Sequence, residues 1–387
     1  MGNASLNADE ALRAMRLRGR SNLEPLANFK SSLAVEECWG YTLSPMAETK
    51  SGARITRIAR LRDRRSGLVF KEGKTSKLVE ERAATAQWQA LIPGLVPKIF
   101  SFQESGERSS ILFEFLSGNT FEALLLNAEQ NVVETALRRI VVTSCDVWER
   151  TKKNKPSHPR FGAQLASRLQ AVHAVHPEFF RPEARDGSHK GASLPSLSRV
   201  AREFDEWLSC PFSVLIHGDF NVDNVLFDAD QNRVCFVDLH RSRSADYAQD
   251  VSVFLVSCYR LQVFDNKTRA KISQAMHAAF GLYSAFAKLH QDSTFQLRLG
   301  LGLARSFATS TRYVSDEKLS KDMFLRARFL LEDIVRHLRM SQRVCGEDAQ
   351  ALEDQTLRVP VVSLTTTGAS VLAENYRLPL DVFSSNL

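Results

Sequence analysis

Residues 212–250 read FSVLIHGDFNVDNVLFDADQNRVCFVDLHRSRSADYAQD, and this stretch organises the rest of the chain. The apolar run Phe212–Ile216 predicts a buried strand that leads into a tight turn. Two further strand-like runs, Val225–Phe227 and Val234–Val237, are separated by the turn-forming residues 228–232. This pattern predicts a β-hairpin, which folds back so that its entrance and its exit lie side by side.

Oxygen-bearing side chains stand at the ends of this predicted hairpin. Asn224 precedes its first strand, Asp238 follows its second strand, and Asp219 lies just ahead of both. Two carboxylates and one amide oxygen on one rim suit Mg²⁺, which takes one or two carboxylates together with substrate phosphates. An ordinary hairpin whose Asp and Asn residues cap their own turns is the alternative interpretation.

The same residues carry a family resemblance. His217, Gly218 and Asp219 followed by Asn224 match the H-G-D-x-x-x-x-N loop of the aminoglycoside phosphotransferase and choline kinase family, whose next strand ends in Asp, here Asp238. A second family feature, a Gly-Asp…Asp-Leu-Ala helix start, is echoed by the sequence ADYAQDVS further on. The resemblance implies an α+β, bilobal, protein-kinase-like fold with a small N-terminal antiparallel sheet lobe and a larger, mostly helical C-terminal lobe.

Upstream segments fit the nucleotide-binding lobe that the resemblance implies. Lys71 ends an apolar strand-like run and matches the family lysine that contacts the phosphates of ATP. The segment 77–91 predicts a helix, on which kinase-like folds place a glutamate that holds this lysine. Glu81 is the preferred candidate by its spacing along the helix, and Glu80 is the close alternative.

Further contacts to the nucleotide are implied by position. Ser51 and Gly52 end the loop that covers the phosphates in family members, although this loop is not rich in glycine and departs from the family pattern. Backbone N–H groups would supply these contacts. The adenine would take main-chain hydrogen bonds between Glu114 and Leu116, in the segment that connects the two lobes.

The resemblance therefore implies an enzyme that moves the γ-phosphoryl group of ATP to a hydroxyl, with GTP as the alternative nucleotide. Lys71 would neutralise the phosphates, Asn224 and Asp238 would hold Mg²⁺, and Asp219 would act as the general base. His217 is expected to brace the loop. The acceptor would be a small molecule such as a sugar, an amino alcohol, an antibiotic or a similar metabolite.

Basic residues directly after Asp238 depart from the family pattern. His240, Arg241 and Arg243 stand where family members more often carry an aromatic and an acidic residue. This departure indicates that the acceptor differs from those of the family. The basic stretch from Arg138 to Arg160 favours an anionic or neutral acceptor over a polycationic aminoglycoside.

Other functions have weaker support in the sequence. A protein serine/threonine kinase would carry His-Arg-Asp in place of His-Gly-Asp and a recognisable end to its activation segment. A non-catalytic nucleotide-binding module would have lost Asp219, Asn224 or Asp238, and all three are present. A nucleic-acid partner is suggested only by the net charge of +7, without any supporting motif.

Composition and element order predict the organisation of the 387 residues. Segment 1–35 is expected to be a flexible basic extension, 36–116 the nucleotide-binding lobe, 117–341 the catalytic and substrate lobe, and 342–387 a C-terminal tail. The six cysteines form no C-x-x-C pair, and no apolar run is long enough to span a bilayer. We expect a cytoplasmic protein without stable membrane insertion.

Overall fold

The computed structural model describes residues 41–46, 53–60, 63–180, 194–345, 352–353, 360–361 and 374–384. These residues form two compact units. The first contains the described residues up to Phe121 together with Asp223–Ser242, and the second contains Glu122–Val222 and the described residues from Arg243 onward. The 223–242 segment therefore belongs to the same unit as the N-terminal strands.

An antiparallel sheet of five strands forms most of the first unit, in the order β1-β2-β3-β5-β4. Its strands are β1 (Tyr41–Pro45), β2 (Arg54–Arg60), β3 (Asp63–Lys74), β4 (Ile99–Ser105) and β5 (Arg108–Glu114). Helix α1 (Thr75–Leu91) follows β3 directly. Leu78 of α1 packs with Ile111 and Phe113 of β5 in a buried cluster, so helix and sheet share one apolar core.

The predicted hairpin is present in the first unit. Strands β8 (Val225–Asp228) and β9 (Arg233–Phe236) are antiparallel partners, and β6 (Asn119–Thr120) pairs with β8 on its other edge. Trp88 of α1 packs edge-on against Phe236 at a ring distance of 5.7 Å, and its indole N–H donates to Ser242 Oγ at 2.7 Å. Helix α1 is therefore tied to the end of the hairpin that carries Asp238.

Helices dominate the rest of the chain. They are α2 (Phe121–Asn127), α3 (Gln130–Thr151), α4 (Phe161–Ala166), α5 (Leu169–Val175), α6 (Leu194–Trp207), α7 (Ala248–Tyr259), α8 (Asn266–Leu289), α9 (Phe295–Ser310) and α10 (Glu317–Cys345), with short 3₁₀ turns at Pro177–Phe180, Thr311–Tyr313 and Leu380–Phe383. Nearly every residue of α7 and α9 is buried, as expected of helices that are apolar on all sides. These two helices form the centre of the second unit.

Short strands complete the second unit. Strand β7 (Val214–Ile216) pairs with β10 (Arg243–Ala245) antiparallel, and β11 (Leu352–Glu353) pairs with β12 (Pro360–Val361). Near the C-terminus, Tyr376, Leu378, Val382 and Phe383 are buried, and the Phe383 carbonyl accepts a hydrogen bond from Ser273 of α8 at 3.0 Å.

The α+β fold class predicted from the sequence is confirmed, with a small antiparallel sheet in one unit and a mostly helical other unit. No helix within the described ranges is long and apolar enough to cross a membrane. Segment 1–35, predicted to be a flexible extension, lies outside the described residues.

Candidate active site

Lys71 is the centre of a buried ion cluster in the first unit. It lies on β3 between Ile55 of β2 and Ile111 of β5, in the middle of the sheet. Its Nζ donates to both carboxylate oxygens of Glu81, at 2.9 and 2.7 Å, and to Asp238 Oδ1 at 2.8 Å. Three residues predicted from separate parts of the sequence therefore meet in one cluster.

The structure distinguishes Glu81 from its neighbour Glu80. Glu81 is 3% exposed and contacts Lys71 of the sheet, whereas Glu80 is exposed. Burial lowers the pKa of Lys71, but the carboxylates of Glu81 and Asp238 outweigh burial and raise this pKa above its ordinary value. Burial raises the pKa of Glu81, and the Lys71 ammonium opposes that rise only in part. Lys71 is therefore held as a cation.

Asp238 follows β9 in an unusual backbone conformation. Its φ of 63° lies in the left-handed region, which Asp and Asn adopt more often than most other non-glycine residues. His240 Nδ1 lies 3.3 Å from Asp238 Oδ1, the oxygen that also accepts from Lys71. Burial alone would raise the pKa of Asp238, but the contacts with His240 and Lys71 lower it well below its usual value. Asp238 is therefore ionised.

Asn224 and Asp238 were predicted to hold Mg²⁺. The N–H of Val237 donates to the carbonyl of Asn224 at 3.1 Å, which places Asn224 beside the exit of the hairpin. The Oδ2 atom of Asp238 accepts no hydrogen bond from any described residue, so it remains available to a ligand. Within the described ranges no group of three or more His, Cys, Asp or Glu residues could hold a metal. One amide and one carboxylate oxygen fit Mg²⁺ that is otherwise coordinated by phosphates and water.

The segment predicted to bind adenine continues from β5. The Glu114 N–H donates to the Lys98 carbonyl at 2.8 Å, and the Phe115 N–H donates to the Gly67 carbonyl at 3.0 Å. The Leu116 N–H has no partner among the described residues, so it is a donor available to a ligand. Ser51 and Gly52, predicted to cover the phosphates, lie outside the described residues.

In the second unit, the His217–Asp219 loop is held by a buried carboxylate. Asp250 of α7 accepts the N–H groups of His217 and Gly218 at 2.7 and 2.8 Å. Gly218 has a φ of 82°, a conformation that favours glycine. Burial raises the pKa of Asp250 to about 7, against the effect of the two N–H donors. Helix α7 therefore fixes the backbone immediately before Asp219.

Asp219 is half-buried and is positioned by its neighbours in the loop. Asn221 Nδ2 donates to Asp219 Oδ1 at 2.9 Å, and the Asp219 N–H approaches His217 Nδ1 at 3.4 Å. His217 itself is 1% exposed. That this residue braces the loop stays a prediction.

A buried arginine anchors the start of α7. Arg298 of α9 donates from Nε to Asp246 Oδ2 at 2.7 Å, and its Nη1 and Nη2 donate to Asp292 Oδ1 and Oδ2 at 2.7 and 2.6 Å. Asp246 also accepts the N–H of Ala248, the first residue of α7, at 2.9 Å. This cluster holds the end of the helix that supplies Asp250.

Two contributors to this arrangement were not identified as site residues from the sequence. Asp250 had a visible signal, because it lies in the ADYAQDVS segment that echoes the family pattern. Arg298 had none, since it stands 52 residues after its partner Asp246 in an apolar helix. Only the packing of α9 against α7 identifies it.

The first unit carries a buried lysine and a hairpin followed by Asp238, and the second unit carries the His217–Asp219 loop. A family model described as the APH phosphotransferase enzyme family matches residues 49–290, which is more than half of the chain. The chain belongs to this phosphotransferase family, and the prediction from the sequence is confirmed. A search of curated protein sequences gives no match.

Solved structures with a similar fold include three phosphotransferases. An aminoglycoside phosphotransferase from Streptomyces rimosus is 18% identical, with 75% of this chain and 92% of that chain covered and a TM-score of 0.43. An ethanolamine kinase from Plasmodium vivax is 10% identical, with 86% and 94% covered and a TM-score of 0.43. A thermostable mutant of the aminoglycoside phosphotransferase APH(4)-Ia is 13% identical, with 77% and 97% covered and a TM-score of 0.48. These values are too low to indicate the substrate of this chain.

Proposed function

We propose that this phosphotransferase moves the γ-phosphoryl group of ATP to a hydroxyl group of a small molecule. The observation that carries the proposal is the ion cluster in which Lys71 Nζ contacts Glu81 and Asp238 at 2.7–2.9 Å. Phosphoryl transfer requires charge neutralisation and alignment rather than covalent help from the protein. A lysine that stays charged inside the protein provides such neutralisation for the phosphates of ATP.

The residues of the first unit are assigned to the nucleotide and the metal. Lys71 binds the phosphates, and Glu81 keeps the ammonium group in place. Asn224 and Asp238 would hold Mg²⁺, which would neutralise the charge of the phosphate oxygens. The main chain between Glu114 and Leu116 is assigned to the adenine, an assignment supported by the available Leu116 N–H.

Asp219 of the second unit is assigned as the general base. Its carboxylate is fixed by Asn221, and its backbone is fixed through Asp250, which prepares it to accept the proton of the acceptor hydroxyl. The main-chain donors of Ser51 and Gly52 are assigned to the phosphates on the family resemblance alone. These roles are proposals that rest on chemistry and position.

The test is substitution of Asp219 with a conservative neutral residue. ATP consumption is measured against a panel of small alcohols for the wild type, Asp219→Asn and the control Asp223→Asn, which removes an exposed carboxylate four residues later. Loss of a general base lowers kcat by about 10²- to 10⁴-fold. We expect this loss only in Asp219→Asn, with the affinity for ATP unchanged. Turnover equal to that of the wild type in Asp219→Asn would show that the assignment is wrong.

A further inference from the structure

Arg243 lies directly beside the loop that carries Asp219. It begins β10, and in the antiparallel pairing with β7 it stands opposite Ile216, the residue that precedes His217. Its position in the second unit is therefore set by backbone hydrogen bonds at the base of the 217–219 loop. This point is the end of β7 that leads into the loop of Asp219, the group proposed to accept the proton.

A buried amide fixes the direction of the Arg243 side chain. Arg243 Nη2 donates to Gln249 Oε1 at 2.9 Å, and Gln249 Nε2 donates to the carbonyl of Gly218 at 3.3 Å. Gln249 is 6% exposed, whereas Arg243 is exposed. One side of the guanidinium is thus attached to the loop through Gln249, and the rest of the group faces solvent.

Arg243 lies near one buried carboxylate, since its charge lowers the pKa of Asp250. Within the part of the chain that the structure describes, Arg243 forms no ion pair, in contrast to Arg298, which contacts two carboxylates. Asp250 uses both of its carboxylate oxygens for the N–H groups of His217 and Gly218, and Asp246, which is nearer in sequence, contacts Arg298. A guanidinium presents five donors in a planar fork that matches a carboxylate or a phosphate. Arg243 retains most of that fork for a ligand.

We propose that Arg243 binds an anionic group, a phosphate or a carboxylate, on the acceptor, so that the substrate is a hydroxylated anion. This inference rests on the proposed function, because it takes Asp219 as the base. The acceptor oxygen forms a bond to the γ-phosphorus while the bond from that phosphorus to the β–γ bridging oxygen breaks. The hydroxyl proton passes to Asp219, and ADP leaves. The product carries the original anionic group and a new phosphate ester.

The ordering of the Arg243 side chain supports this role over a general surface charge. Holding a long side chain in one conformation costs conformational entropy. The hydrogen bond to Gln249 offsets this cost in the free protein, before the acceptor binds. A preorganised fork binds its ligand more tightly than a mobile one for the same reason. The acceptor hydroxyl and the anionic group are thereby held in a defined relation to Asp219.

The test compares small hydroxylated acceptors of different charge. Glycerol, glycerate, glycerol 3-phosphate and choline are supplied to the wild type, Arg243→Gln, Arg243→Lys and the control Arg138→Gln, which removes an exposed arginine of α3. Binding is measured by calorimetry in the presence of a non-hydrolysable ATP analogue, and turnover is measured as ATP consumption. Glycerate and glycerol 3-phosphate show whether a carboxylate or a phosphate is preferred.

We expect the wild type to bind at least one anionic acceptor about 10-fold or more tightly than glycerol, since a charge-assisted hydrogen bond to arginine has that effect. Arg243→Gln should raise the KM for the anionic acceptor, which removes the preference over glycerol, and should leave the KM for ATP unchanged. Arg243→Lys should restore it only in part, because lysine lacks the fork that Gln249 orients.

Several outcomes would overturn the inference. The wild type could bind glycerol as tightly as the anions, or could bind choline most tightly. Arg243→Gln and Arg138→Gln could also lose the same affinity for the anions, which would indicate a general effect of net charge. Failure of the proposed function has a separate signature, because full turnover in Asp219→Asn would refute the base without changing the calorimetric preference for anions.

Discussion

The substitution Glu81→Gln tests the ion cluster around Lys71 most directly. The change keeps the shape of the side chain and removes one charge from a pair whose side chains are 9% and 4% exposed, so water screens the pair little. The same change at Glu80 is a matched control, since Glu80 is the adjacent residue of α1 and is exposed. Any difference between the two variants reflects the contact with Lys71 rather than the change in net charge or in helix propensity.

The expected loss of stability follows from the contacts that remain. Removing one partner of a buried ion pair costs about 3–5 kcal/mol when the other charge is left alone. Lys71 is not left alone in Glu81→Gln, because Asp238 Oδ1 stays within 2.8 Å of Nζ and the new amide oxygen can accept one hydrogen bond. Burial also raises the pKa of Glu81, so removing its charge relieves part of the burial cost. We therefore expect a loss of about 1.5–3 kcal/mol, the value of a hydrogen bond to a charged group.

The functional effect should appear in nucleotide binding, which requires no knowledge of the acceptor. Urea unfolding measures the free energy of unfolding, and titration with a fluorescent ATP analogue measures affinity. Without Glu81, Lys71 turns toward Asp238, and ATP affinity should fall about 10-fold or more, corresponding to about 1.4 kcal/mol. Glu80→Gln should leave both quantities within about 0.5 kcal/mol of the wild type, as exposed substitutions usually do. Equal results for the two variants would refute the assignment of Glu81 as the residue that holds Lys71.

Two further predictions concern the second unit. Burial raises the pKa of Asp250 to about 7, above its ordinary value of about 3.9. The stability that the protonated Asp250 carboxyl contributes is therefore complete below about pH 4 and is lost as the pH rises through 7. The free energy of unfolding of the wild type, measured by urea unfolding, should therefore fall relative to that of Asp250→Asn from low pH to about pH 7, and parallel pH profiles would contradict this. Arg298→Met leaves the carboxylates of Asp246 and Asp292 buried without their cation and should cost about 3–5 kcal/mol in urea unfolding, whereas a loss below about 1 kcal/mol would show that the cluster adds little.

Local sequence determined the hairpin and the loop before it. Apolar runs of strand length around the turn-forming residues 228–232 permit one register, in which Asp228 pairs with Arg233 and Val225 with Phe236. That register alone places Asn224 beside the exit of the hairpin, because few residues separate the two strands. The family pattern around Asp219 is equally local. These features were predictable because their geometry depends on residues close together in the chain.

Contacts between distant elements were not predictable in the same way. Glu80 and Glu81 are neighbours on one helix, and the sequence could not decide between them, since the choice depends on how α1 packs against the sheet. The structure turns Glu81 inward, toward a lysine ten residues earlier. The roles of Ser51 and Gly52 and the predicted lobe boundaries stay predictions.

The HGD loop and the hairpin were thus determined by the sequence itself, and they define the class of reaction. Tertiary structure decided which side chains position the loop. Arg298 binds Asp246, which lies 52 residues away in the chain, and Gln249 binds the carbonyl of Gly218, which lies 31 residues away. It also singled out Arg243 among the basic residues after Asp238 as the candidate for binding an anionic acceptor, since only the pairing of β10 with β7 places this residue beside the loop. The physical reason is that hairpin geometry is set by neighbouring residues, whereas burial and ion pairing depend on the packing of distant elements.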